Sequence, residues 1–129
     1  MNGGLVSTRD ERPHKKLEVW QKAMALVVRI YTLTKEFPKS EAYGLSSQMR
    51  RSAISIPGNI AEGAARKSKA AFIQFLNIAQ GSLSELDTQL ELAYMLGYID
   101  EKRHRETLAE LTAIFRMLSG LIRSLKKSE

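Results

Sequence analysis

A chain of 129 residues fits a single domain. Its 43% hydrophobic and 26% charged composition excludes whole-chain disorder. The lack of cysteine excludes disulfides, thiol nucleophiles and Cys-based metal centres, and no apolar run approaches the ~18–20 residues of a membrane span. Twenty Lys and Arg against fourteen Asp and Glu leave +6, a balance that suits polyanionic partners but does not by itself assign a function.

Residues 1–16 show no hydrophobic period and carry Gly3, Gly4 and Pro13, so they read as a flexible leader. The stretch has no apolar core of the kind a secretory signal needs, and a cytoplasmic location is expected. From Leu17 the pattern turns helical. Leu17, Trp20, Met24, Val27 and Tyr31 fall three or four apart, with Ala23, Ile30 and Leu33 widening the stripe, until Phe37-Pro38 ends the helix. Ser40 is the expected cap of a second helix through Leu45, Met49, Ala53, Ile56 and Ile60. Pro57 lies inside it, which predicts a kink or local break near residues 55–58.

Ser68 caps a third predicted helix, whose seam is Phe72, Leu76, Ala79, Leu83, Leu86, Leu90 and Ala93. It runs to Leu96, roughly 42 Å at ~1.5 Å per residue, and Gly97–Asp100 ends it. A fourth seam follows in Leu108, Leu111, Phe115, Leu118, Ile122 and Leu125, broadened by Ile114 and Leu121. Short connections between four helices that must each bury a stripe predict an all-α, antiparallel up-down-up-down four-helix bundle over residues 17–126, with 127–129 as a tail. Apolar residues are in surplus on the third helix. Phe75, Ile78 and Leu92 lie beside or away from its seam, and they are either a wide core stripe or a subunit interface.

Catalytic patterns are missing. His14 and His104 share no metal motif, Glu101 and His104 form only a single Glu-x-x-His at a helix start, and no nucleophile elbow or phosphate loop occurs. No enzyme activity, cofactor or metal is expected. The basic residues are more informative. Arg50 and Arg51 sit within the second helix, and Arg66, Lys67 and Lys69 crowd the turn into the third. Lys15, Lys16, Arg123, Lys126 and Lys127 could extend that field. These cations, Arg50, Arg51, Arg66, Lys67 and Lys69 foremost, are the candidate nucleic-acid contacts.

The segment from Arg50 to Gly63, RRSAISIPGNIAEG, continues through Arg66, Phe72 and Phe75 to GSLSEL at Gly81–Leu86 and to Gly97-Tyr98-Ile99. With these motifs the chain, over roughly Lys15 to Leu125, resembles the bacterial four-helix-bundle family encoded in 23S ribosomal RNA intervening sequences. The accessory variability determinant (Avd) proteins of diversity-generating retroelements look like relatives of that family. The resemblance implies a barrel-like homopentamer. Through the Avd relatives it implies a basic surface for nucleic acid and association with a reverse transcriptase. The expected function is therefore a non-enzymatic oligomeric bundle that binds RNA or DNA electrostatically. The alternative is a protein–protein scaffold or accessory subunit without direct nucleic-acid binding. Within the signature, Ser55 and Asn59 are expected to meet backbone groups released by Pro57, Glu62 to pair with Arg66, and Gly58, Gly63 and Gly81 to allow close helix approach.

Overall fold

The computed structural model describes residues 12–128. A 3-10 turn at Pro13–Lys16 leads into α1 (Glu18–Thr34). A second turn at Lys39–Glu41 precedes α2 (Leu45–Ala64), followed by α3 (Lys69–Met95) and α4 (Glu101–Lys127). No strand occurs among the described residues. Residues 1–11 of the expected leader lie outside the described residues, whereas Pro13–Lys16 pack against α1 and α2.

The helices close into a four-membered bundle in which α1 and α3 each pack on both α2 and α4. Residue numbers run in opposite senses across the contacts. Ser52 meets Glu85 while Ser55 meets Ser82. Gln80 meets Ser119 while Glu91 meets His104. Arg29 pairs with Glu110 while Glu36 pairs with Arg103. Adjacent helices are thus antiparallel, which follows from their short connections. Leu26, Ile30, Met49, Ile56, Ile60, Leu76, Leu86, Leu90, Ile114 and Leu118 are fully buried between them. Each such side chain contributes about 1.5–3 kcal/mol of transfer free energy.

Local chemistry sets the helix ends. The Ser68 hydroxyl accepts from the Ala71 amide (3.1 Å), and the Asp100 carboxylate accepts from Arg103 N (2.8 Å). Gly97, at φ +79°, closes α3: its amide donates to the Tyr94 carbonyl and the Tyr98 amide to that of Ala93. Ser40, however, does not cap α2. It lies in the 3-10 turn, and the helix starts after Gly44. There the Glu41 carboxylate supplies the acceptor, taking the Leu45 amide at 3.0 Å, and a Cβ on Gly44 would stand 2.7 Å from that oxygen.

Other expectations need correction. Of the kink or break expected near residues 55–58, the break does not occur: α2 is continuous, with the proline ring buried. Asn59 does turn back onto the helix, but its amide donates to the Ser55 carbonyl and hydroxyl (2.8 and 3.0 Å). Pro57 releases the carbonyl of Ala53, whereas the Ser55 hydroxyl bonds to Ser82 and Asn59 and the Asn59 amide bonds to Ser55. On α1 the buried stripe is Val19, Ala23, Leu26, Ile30 and Leu33, while Met24 and Tyr31 face outward. On α4, Ile114 takes the core position and Phe115 is exposed. Both helices carry two overlapping apolar stripes. Contacts on the flanks decide which turns inward: Arg29 reaches α4, and Thr34 accepts from Arg50 of α2.

Candidate nucleic-acid interface

Antiparallel packing gathers three basic segments at one end of the bundle. The start of α3 lies against the end of α4, where the Lys69 ammonium donates to the Ser128 carbonyl at 2.8 Å. The turn before α3 carries Arg66 and Lys67, and the last turns of α4 carry Arg123, Lys126 and Lys127. The start of α1 joins them, because α1 runs antiparallel to α4. Its preceding turn is held in place by Gln21, which donates to the Lys15 carbonyl (2.9 Å), and by an edge contact of His14 on Trp20. Arg12, Lys15 and Lys16 enter the same pole.

Against these cations the described residues of this end offer Glu18 and Glu62, and Glu62 is engaged by Arg66 at 2.7 Å. The pair is solvent-exposed, so it contributes at most about 1 kcal/mol and leaves the pole strongly positive. Lys126 and Lys127 stand at a helix C-terminus, where the macrodipole favours them. Arg66 also lies 4.9 Å above the Phe75 ring. Beneath them Gly63 permits the close approach: a Cβ there would meet Phe75 Cβ at 2.8 Å and Phe72 Cδ1 at 2.9 Å. The α2–α3 corner that presents Arg66 and Lys67 rests on this contact.

The five foremost candidates do not form one site. Arg66, Lys67 and Lys69 come together, while Arg51 stands about 20 Å away along α2, at ~1.5 Å per residue. Arg50 is a packing residue. Its Nε donates to Thr34 Oγ1 at 2.8 Å, and its guanidinium lies 4.4 Å above the Tyr31 ring. Phe75 is likewise committed within the chain, facing α2, whereas Ile78 and Leu92 are exposed on α3. Arg12 was not singled out by the sequence. The parity of antiparallel helices is the signal that places it, because it puts whatever precedes α1 beside the end of α4.

At the opposite end, charges alternate in sign. Arg29 is held by Glu106 and Glu110, Arg103 by Glu36 (3.2 Å), and His104 by Glu91 (3.1 Å) while stacked on Tyr94. The Leu45 amide and the Tyr98 hydroxyl hold the Glu41 carboxyl below its usual range. The same carboxylate, accepting from Tyr98 at 2.8 Å, pushes the phenol upward. Among the described residues no cluster of three His, Asp or Glu could hold a metal ion. No helix there is long and apolar enough to cross a membrane.

The family model described as 23S rRNA-intervening sequence protein matches residues 15–120. Among solved structures, the chain is similar to a protein of unknown function from the S23 ribosomal protein family of Bacteroides thetaiotaomicron. That likeness has 32% identity and a TM-score of 0.76, and it covers 81% of this chain and 95% of the other. No curated protein matches.

Proposed function

The chain belongs to the 23S rRNA-intervening sequence protein family, and from that premise we propose that its basic pole binds the phosphate backbone of structured RNA. The observation that carries this reading is the convergence of Arg66, Lys67 and Lys69 with Arg123, Lys126 and Lys127 at one end of the bundle. Such a surface recognises charge spacing and not base edges, so binding is weakly sequence-selective.

The same reading assigns no catalytic step and no cofactor, and places the protein in the cytoplasm. It includes assembly into a closed ring, five subunits being the number that the family resemblance implies. Repetition of a pole around such a ring multiplies its field. The test is a fluorescence-anisotropy titration of a structured RNA and a DNA duplex across a salt series. Log K should fall with log salt by about 0.7–0.9 per neutralised phosphate. Absence of binding at low salt by a folded, assembled protein would replace this reading with a protein scaffold.

A further inference from the structure

Between α3 and α4 runs a polar trough that core packing does not require. On α3, Asn77, Gln80, Ser84 and Asp87 recur at steps of three, four and three, and on α4 Arg116, Ser119, Arg123 and Lys126 do the same. Residues at such steps share one helix face, so two polar rims face each other along the packed pair. Gln80 Nε2 donates to Ser119 Oγ at 2.8 Å across the trough and divides it into two hollows. Nearer the basic pole, Asn77, Gln80, Ser119, Ile122, Arg123 and Lys126 line a volume of about 350 Å³. Beyond the bridge, Leu83, Leu108 and Leu111 floor a second hollow of about 290 Å³, with Asp87, Phe115 and Arg116 on its walls.

The first hollow suits an anion. Both charged residues on it are cations, and among the described residues Arg123 and Lys126 have no ion pair and Asn77 has no hydrogen bond. Asn77 and the second N–H of Gln80 add neutral donors. A phosphate placed there meets charge and donors together. The second hollow suits a nucleoside. Phe115 is 44% exposed, while its neighbour Ile114 fills the core. Its ring stands open to water beside Arg116, which has no ion pair among the described residues, and such a ring is a platform for stacking a base. Asp87 repels phosphate but accepts from a ribose hydroxyl or a base amino group, so it marks where the phosphate track ends.

We propose that this trough holds an unpaired stretch of RNA leading off the basic pole, with phosphate at Arg123 and Lys126 and a base stacked on Phe115. Arg123 and Arg116 stand about 10 Å apart along α4, at ~1.5 Å per residue, so one short strand reaches both hollows. Continuity favours a nucleic-acid strand as the occupant. Arg123 and Lys126 belong to the pole and to the trough alike, so a strand held at the pole enters the trough without leaving its cations. Stacking tolerates every base, so the trough selects unpaired over paired nucleotides and not one sequence over another. This inference rests on RNA binding at the pole and adds a preference that the pole by itself does not supply.

The test compares a blunt RNA hairpin with the same hairpin extended by an unpaired tail carrying a fluorescent aminopurine, each titrated with the full-length protein at low salt. The tailed RNA should bind about tenfold more tightly, within the range for one stacked base, and the aminopurine emission should fall on binding. Phe115→Leu, which keeps apolar bulk without a ring, should abolish that advantage and leave the affinity for the blunt hairpin unchanged. Phe115→Tyr should retain it. Arg66→Glu with Lys67→Glu should weaken both RNAs alike. Equal affinity of the wild type for the two hairpins, a loss on Phe115→Leu shared by both RNAs, or identical behaviour of the Leu and Tyr variants would overturn the trough and leave the pole reading in place. A folded wild type that binds neither RNA would overturn the pole reading, and the trough with it.

Discussion

The two ends of this bundle are built from the same residue types and carry opposite electrostatic designs. At one end Glu36 pairs with Arg103, Glu91 with His104, and Glu41 accepts from Tyr98. At the other end Arg66, Lys67, Lys69, Arg123, Lys126 and Lys127 gather with little acid among them. Among the described residues, the excess of cations over acids is therefore greatest at this end. Like charges held together on a folded surface repel, a cost that a polyanion relieves on binding. On the proposed reading, RNA binding belongs to the end rich in cations, and the end with paired charges serves stability.

Reversal of the pole should give the largest effect. Arg66→Glu, Lys67→Glu and Lys69→Glu together should lower RNA affinity by about two orders of magnitude at low salt and reduce the salt slope by about 2–3. Far-ultraviolet circular dichroism should stay unchanged, because all three side chains are exposed. Next comes the corner beneath them. Gly63→Ala forces a methyl against Phe72 and Phe75 and should cost about 1–3 kcal/mol, read from urea unfolding.

The paired end should respond to pH instead. Glu41 has a folded pKa below its unfolded value, so its contribution is present above about 4.3 and is lost as pH falls through the lower folded value. Tyr98 has the opposite sign: its contribution is complete below about 10 and is lost as pH rises through the raised value. Glu41→Gln should therefore flatten the acid limb of the melting temperature plotted against pH, and Tyr98→Phe the alkaline limb. Smallest of all is Arg103→Ala, which loses an exposed pair with Glu36 and should cost about 0.2–1 kcal/mol while RNA affinity changes little.

Much of the fold was legible where one period dominated. The α3 seam from Leu76 to Ala93, the Ser68 cap and the Gly97 stop all stand as read, because each is a local feature with a single physical solution. On α1 the residues offer two stripes of equal period. The choice between them depends on Arg29 and Thr34 finding partners on other helices, which no local pattern contains. The cap of α2 was misplaced for the same reason, since Glu41 is steadied by Tyr98, far along the chain. Of the candidate site, Arg66, Lys67 and Lys69 were visible as a cluster. Arg50 looked equivalent until its contacts with Tyr31 and Thr34 showed it to be spent on packing.

The location of binding is tested most directly by hydrogen–deuterium exchange of the full-length protein with and without structured RNA at low salt. Added protection should map to residues 12–17, 66–72 and 122–128, the three segments of the basic pole, and should vanish when salt releases the RNA. Protection centred instead on residues 35–45 and 98–106, the paired end, would contradict the account.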